Sequence, residues 1–157
     1  MKIKLLTIGK TSKAFLIQGE EEYAGRLKHY CTFERIELPD LKNAAGLSKA
    51  QLKQAEGKEL LSRISPGDTL VLLDERGKEY SSIEFSTMLQ EHMNRSVRTL
   101  VFVIGGAYGF SDEVYARANG KLSLSRMTFS HQMVRMIFLE QLYRAFTILR
   151  GEAYHHQ

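Results

Sequence analysis

The sequence lacks the features that mark secreted and membrane-bound proteins. It has one cysteine, Cys31, among 157 residues, so an internal disulfide is excluded and a reducing compartment is favoured. We interpret Cys31 as a small buried residue in a strand rather than as a reactive thiol. The start, MKIKLLTIGK, turns polar too soon for a signal peptide. The most apolar stretch, 133–149, contains two arginines, a glutamate and a glutamine, and therefore fails as a membrane span. These absences predict a cytoplasmic protein with no membrane association.

Signatures of common cofactor sites are also missing. The first apolar run is followed by GKTSKAF at 9–15, which is neither a dinucleotide-binding glycine fingerprint nor a phosphate-binding loop. His155 and His156 are adjacent and do not share a helix face, and no cysteine or acidic cluster stands at metal-ligand spacing. The sequence therefore predicts no metal site and disfavours the common nucleotide-binding enzymes.

The remaining composition is that of an ordinary globular domain. Hydrophobic residues make up 43% of the chain and charged residues 25%, close to average values. With 22 Lys and Arg against 18 Asp and Glu, the net charge is +4. This excess permits an anionic partner without requiring one. No repeat, linker or low-complexity tract divides the chain, so we predict a single domain over 1–157.

Strand-like and helix-like periodicity alternate along the chain. We predict strands at 3–8, 32–38, 69–73, 98–104 and 122–124, and helices at 14–30, 48–63, 81–93, from 111 and at 131–150. The stretch 41–46 is expected to be a mobile loop. This order predicts one α/β domain with a mostly parallel sheet and helices on both faces.

Local signals mark three of the helix starts. Ser48 with Gln51, and Ser81 with Glu84, have the spacing of capping boxes. Ser111, which two acidic residues follow, has the pattern of an N-cap.

Three strand ends contain candidate binding residues, at 73–77, 104–106 and 124–126. The glycines of GGAYG at 105–109 would let a ligand approach the backbone, although an ordinary tight turn explains them equally. The mixed charges of 74–78 are likewise compatible with a solvated turn. Ligands of parallel sheets bind beyond the carboxyl ends of the strands, so the shared position predicts one crevice.

The last helix is apolar nearly all round, which indicates burial on all sides and hence a homodimer. Glu140 and Arg144 have the spacing of an intrahelical salt bridge; the alternative is that Arg144 faces an anionic substrate. In the tail, Tyr154 could stack on a base and His155 could bind phosphate or shuttle a proton. Terminal disorder is the competing interpretation.

Three segments resemble a known family. LLDERGK at 72–78, VIGGAYGFS at 103–111 and LSLSRMTFSHQMVRMIFLEQLYRAFTILRGEAYHH at 122–156 are similar to the ribosomal RNA large subunit methyltransferase H family, which belongs to the SPOUT, or α/β-knot, methyltransferases. The resemblance extends over the whole chain and is most specific in the last third.

The resemblance implies a C-terminal trefoil knot, a homodimer and S-adenosyl-L-methionine bound in the knot. Genuine knots are very rare in proteins, and periodicity alone would argue against one. By likeness, the cofactor-binding residues are Leu73, Gly105, Leu124, Ser125, Arg126, Met127, Thr128 and Phe129.

The implied reaction is methylation of N3 of a pseudouridine in 23S ribosomal RNA, on the large subunit or 70S ribosome. We assign anion stabilisation and phosphate docking to Arg144, proton relay to His155, and packing on the nucleotide to Tyr154. Part of the phosphate contact is expected from Lys2, Lys4, Lys10, Lys13, Arg135, Arg144 and Arg150, although most of these lysines are equally explained as surface charges that keep the protein soluble. A non-catalytic ribosome-binding or assembly factor that retains the fold is the alternative.

At two positions the residue differs from the one that is usual in the family. Ser130 stands where proline is common, and we expect it to N-cap the last helix. Ala153 also replaces a common proline, which leaves the tail less rigid.

Overall fold

The computed structural model describes residues 1–42 and 44–156 and shows five strands alternating with five α-helices. The strands are β1 Lys2–Ile8, β2 Thr32–Leu38, β3 Thr69–Glu79, β4 Thr99–Ile104 and β5 Gly120–Ser123. The helices are α1 Ala14–Leu27, α2 Lys49–Ser62, α3 Ser82–Asn94, α4 Asp112–Arg117 and α5 Met133–Leu149, with a 3-10 turn at Ala44–Gly46. The predicted elements are all present, although the first helix ends at Leu27 rather than at residue 30. Asn43, in the predicted loop 41–46, lies outside the described residues.

The strands form one sheet in the order β2-β1-β4-β3-β5, and every pairing is parallel. The predicted α/β architecture is therefore confirmed. Because all strands run the same way, their carboxyl ends meet at one edge, and the loops that follow them share that edge.

The unbroken apolar run of β4 results from burial on both faces of the sheet. Leu100, Phe102 and Ile104 pack on the side of α1, α3 and α5, whereas Val101 and Val103 pack on the side of α2 and α4. The two helical layers confirm the predicted covering of both faces. Central parallel strands lose the alternation of half-exposed strands for this reason.

The predicted helix starts at residues 48, 81 and 111 are confirmed. Ser48 and Gln51 bond each other's backbone N–H groups, as do Ser81 and Glu84. The Ser111 hydroxyl accepts from the Val114 N–H at 3.4 Å. These short-range bonds are encoded locally, and sequence spacing is sufficient to find them.

The prediction that the third strand stops at Leu73 and turns at 74–78 is wrong. The strand β3 continues to Glu79, with a register shift between Leu73 and Lys78, and Lys78 pairs with Leu122 of β5. At Gly77, a Cβ would lie 2.7 Å from the backbone of Leu122, so glycine permits this close approach. A bulge of this kind depends on the partner strand and has no signal in the sequence of β3 alone.

The prediction that Ser130 caps the last helix is confirmed only in part. The helix α5 begins after Gln132, whose side-chain oxygen accepts bonds from the N–H and hydroxyl of Ser12 at 3.0 and 3.1 Å. Ser130 lies just before this start, where its hydroxyl accepts from the Gln132 N–H at 3.4 Å and its carbonyl accepts from the Val134 N–H at 2.9 Å. Local bonds from Ser130 and a tertiary contact with the loop after β1 therefore both stabilise this helix start.

Cys31 precedes β2 rather than lying in it, and its thiol is half-buried, 3.8 Å from the carbonyl oxygen of Leu27. Burial raises the pKa of the Cys31 thiol to about 11. The thiol is therefore protonated at neutral pH, as expected for a structural cysteine.

Candidate active site

A cavity of about 720 Å³ opens at the carboxyl edge of the sheet, beside residues 73–76 of β3 and above the ends of β4 and β5. Pockets for small ligands have volumes of roughly 300–1,000 Å³, so the cavity is large enough for a nucleoside-sized molecule. Its wall is formed by the end of β3, the glycine turn at 105–109, the segment at 123–129 and the start of α5. The three predicted strand ends thus converge on one cleft.

The structure brings together seven of the eight residues that the resemblance assigns to the cofactor. The residues that line the cavity are Leu73, Gly105, Leu124, Ser125, Met127, Thr128 and Phe129. Arg126 stands outside this set, because its side chain is 88% exposed and lies 3.5 Å from a carboxylate oxygen of Glu79. A bond from the Met127 N–H to the Ser125 hydroxyl, at 2.9 Å, shapes the segment. These seven residues therefore contribute apolar side chains, the two hydroxyl groups of Ser125 and Thr128, and the backbone of Gly105 to the wall.

The glycine turn is packed tightly from behind. A Cβ at Gly105 would lie 2.9 Å from the ring of Phe110, and one at Gly106 would lie 2.5 Å from the Glu56 carboxylate. The Gly109 N–H donates to the Gly106 carbonyl at 3.3 Å, and Gly109 has a φ of +82°. A side chain at either of the first two positions would require Phe110, Glu56 or the turn itself to move, and positive φ favours glycine at the third.

Sequence reasoning missed Glu56, which lies behind this turn. Its side chain is buried, and its Oε1 atom has no hydrogen-bond partner within residues 1–42 and 44–156. Burial, together with nearby Asp40, raises the pKa of the Glu56 carboxyl above its ordinary value. A glutamate on an amphipathic helix resembles a solvated residue in sequence, so only the fold reveals this environment.

We expect the Glu56→Gln variant to be more stable than the wild type at neutral pH. Because the pKa of Glu56 is raised, its contribution to stability is present below the ordinary value of 4.5 and is lost as the pH rises through the folded-state pKa. At pH 8 the variant should gain about 1 kcal/mol in unfolding free energy, and the gain should shrink toward pH 4. Urea unfolding across this range measures it. Glu59→Gln is the control, since Glu59 lies on the same helix with its side chain 39% exposed and 3.4 Å from the guanidinium of Arg63; an equal gain there would contradict the assignment.

Asp74, from the predicted strand end at 73–77, forms a pair in the cavity wall with Tyr115, which sequence reasoning missed. The Tyr115 hydroxyl donates a hydrogen bond to the Asp74 carboxylate, and both residues line the cavity. Burial and this bond raise the pKa of Tyr115 to about 12. The pair joins α4 to β3, 41 residues apart in sequence, and no local pattern indicates it.

The three predicted catalytic residues also come together, in a cluster that centres on Glu140. The guanidinium of Arg144 bonds a Glu140 carboxylate oxygen at 3.1 and 2.5 Å, and the Tyr154 hydroxyl donates to the same oxygen at 3.0 Å. The third guanidinium nitrogen of Arg144 lies 3.2 Å from Nδ1 of His155. The guanidinium carbon also lies 4.7 Å from the ring centroid of Tyr154. The intrahelical salt bridge is therefore present, and it holds an ordered tail rather than a disordered one.

This tail cluster lies at the opposite edge of the sheet from the cavity. Arg150 donates to the His29 carbonyl at 3.3 Å, and the Tyr30 hydroxyl donates to Glu152 at 2.6 Å, just before β2 begins. In contrast, α5 starts at the cavity, where Val134 lines the wall. Arg144 follows ten residues later, about 15 Å along the helix axis. Within one chain, the cluster and the cavity are therefore separate.

Arg135 does not supply a phosphate contact, contrary to the sequence prediction. Its side chain is 2% exposed. The guanidinium donates to the carbonyls of Ile8 and Gly9 at 2.6 and 2.8 Å and to the Thr11 hydroxyl at 3.1 Å. These bonds join α5 to the loop after β1, so Arg135 has a structural role.

Comparison with known proteins identifies the class to which this fold and cavity belong. The family model described as a predicted SPOUT methyltransferase matches residues 1–155, and the chain belongs to the SPOUT methyltransferases. Proteins named ribosomal RNA large subunit methyltransferase H are similar over its full length. Those from Parabacteroides distasonis and Flavobacterium johnsoniae are 54% and 56% identical, with 100% of each chain covered. These relatives place the chain in the family of that name.

Two further properties of the described residues bear on the site. No group of three or more His, Cys, Asp or Glu side chains among residues 1–42 and 44–156 is arranged to hold a metal ion. Within the same ranges, no helix is long and apolar enough to cross a membrane.

Proposed function

We propose that this protein transfers a methyl group from S-adenosyl-L-methionine to N3 of a pseudouridine in 23S ribosomal RNA, on the large subunit or 70S ribosome. The observation that carries the proposal is the cavity beside residues 73–76 of β3 and the carboxyl ends of β4 and β5, in a chain whose relatives are named as methyltransferases of large-subunit ribosomal RNA. Cytoplasmic localisation, a single domain and the trefoil knot are parts of the same proposal.

The residues of the cavity fit a methyl donor of this kind. Leu73, Leu124 and Phe129 offer apolar surface for an adenine ring. The backbone of the glycine turn and the hydroxyls of Ser125 and Thr128 offer polar partners for the ribose and amino-acid groups. When bound, S-adenosyl-L-methionine supplies an electrophilic methyl group. The role of the wall is to hold it in line with the acceptor nitrogen, because alignment supplies much of the acceleration in a displacement.

The acceptor requires proton removal, which we assign to the tail cluster. N3 of pseudouridine is a weakly acidic imide nitrogen; its proton leaves as the N–C bond forms, and the sulfur keeps the electron pair of the broken C–S bond. His155 takes the proton, and Arg144 stabilises the negative charge on the imide. Tyr154 packs on the nucleotide. Glu140, which bonds both Arg144 and Tyr154, holds these two side chains in place.

The separation of the cavity from the tail cluster favours a homodimer as the active form. Arg144 lies about 15 Å along α5 from the cavity wall, so one chain does not bring both halves to the same nucleotide. A two-fold dimer could place the tail of one protomer beside the cavity of its partner. The exposed side chain of Met133 and the half-buried apolar residues of α5 are candidates for the contact.

The proposed reaction is tested with labelled methyl donor and ribosomes that lack the modification. We expect label on the RNA at a single pseudouridine, and no label when uridine replaces it. Calorimetry with the donor alone separates the enzyme from the alternative, a non-catalytic ribosome-binding factor. An enzyme should give saturable heat. Absence of both saturable heat and label would support the binding factor and refute the proposed reaction.

A further inference from the structure

An exposed aromatic side chain lies at the mouth of the cavity. The Tyr108 side chain lines the cavity wall and remains 46% exposed. It is fixed on the turn that the bridge between Gly106 and Gly109 closes. The backbone that carries the ring is therefore restrained. Because of this restraint, ordering the ring on ligand binding costs little conformational entropy.

Two lysines of α2 lie close to this site: one contacts the ring, and the other lines the same cavity. The Lys49 ammonium lies 5.1 Å from the ring centroid of Tyr108, and Lys53, one helical turn later, lines the same cavity. Across residues 1–42 and 44–156, neither lysine lies within 4.0 Å of a carboxylate oxygen. Both charges are available to an anion that approaches the cavity mouth.

We propose that Lys49, Lys53 and Tyr108 form a nucleotide platform, which binds an unpaired nucleotide of the substrate RNA next to the methylated base. The base stacks on the face of Tyr108 that Lys49 leaves open, and the adjoining phosphates lie against the two ammonium groups. Unstacked bases on aromatic rings and phosphates beside lysines are the usual elements of single-stranded RNA recognition. This inference rests on the proposed function, because it places the acceptor strand at the same cavity.

The platform is tested by the affinity of the dimer for ribosomal particles that lack the modification. Binding is measured by fluorescence anisotropy, which requires no turnover. We expect Tyr108→Ala to weaken binding about tenfold, and Tyr108→Phe, which keeps the ring, to bind within twofold of the wild type. Lys49→Gln and Lys53→Gln should each lower the slope of log affinity against log salt by about 0.7. Lys58→Gln, an exposed lysine of the same helix, is the matched control and should leave the slope unchanged.

Three results would overturn the platform. The first is particle affinity within twofold of wild type for Tyr108→Ala. The second is a loss of donor affinity equal to the loss of particle affinity, which would assign the ring to the donor. The third is dissociation of the dimer in the Tyr108→Ala variant, which would place the Tyr108 ring in the contact between subunits. Failure of the proposed reaction is separate, since it shows as a wild-type protein that binds particles but transfers no label.

Discussion

Replacing Arg135 with alanine is expected to lower the free energy of unfolding by about 3–5 kcal/mol. Arg135 is fully enclosed, and its guanidinium satisfies the carbonyls of Ile8 and Gly9 and the hydroxyl of Thr11. It also lies 3.7 Å from the Glu37 carboxylate. Truncation would leave these acceptors unpaired in a buried site and would remove the positive charge that offsets the carboxylate.

Urea unfolding of Arg135→Ala, Arg135→Lys and Arg126→Ala provides the comparison. Lysine keeps the charge but loses the planar fork that reaches several acceptors, so we expect an intermediate loss. Arg126, which is 88% exposed, should change the unfolding free energy by less than about 0.5 kcal/mol. A loss below about 1 kcal/mol for Arg135→Ala would show that the buried bonds contribute little net stability.

Mixing two inactive variants is expected to restore methyl transfer. Gly105→Val should disable the donor cavity, since even a Cβ there would lie 2.9 Å from the Phe110 ring. Arg144→Ala should disable the tail cluster. If a site combines the cavity of one protomer with the tail of its partner, half of the randomly mixed dimers regain one intact site. Activity should then return to about one quarter of the wild-type level.

The same mixture distinguishes a site within one subunit from a shared one. If both halves of a site come from the same chain, every protomer in the mixture remains defective and no activity returns. A mixture of Gly105→Val with the wild-type protein controls for the mixing itself. That mixture should keep about half of the wild-type activity, whether the site is shared or lies within one subunit. Calorimetry confirms beforehand that Gly105→Val binds no donor and that Arg144→Ala binds it normally.

Much of the fold follows from local patterns in the sequence. The apolar run of β4 indicates a strand buried on both faces, and the spacings at Ser48 and Ser81 locate two helix starts. The order of strands and helices then determines that the strand ends share one edge. The candidate cavity could therefore be expected at Leu73, Gly105 and Ser125, and the structure brings these residues around one space.

The remaining features depend on contacts between distant segments. The extension of β3 depends on its pairing with β5, and the start of α5 depends on Ser12, 120 residues away. The burial of Arg135 and of Glu56 has the same origin, because charged residues in amphipathic helices usually face solvent. The distance between Arg144 and the cavity could not be predicted either. The sequence places both near the last helix, but it does not show that the cavity lies at the start of this helix, about 15 Å from Arg144.

The environment of Cys31 has a practical consequence for following this protein with attached probes. With a thiol pKa of about 11, only about one molecule in ten thousand presents a thiolate at pH 7, so maleimide reagents should leave the native chain nearly unlabelled. A cysteine introduced at position 127, where the methionine is 79% exposed, would then carry a fluorophore at the rim of the cleft without prior removal of the natural thiol. Distances between two such dyes in one dimer would report directly on how the protomers are arranged.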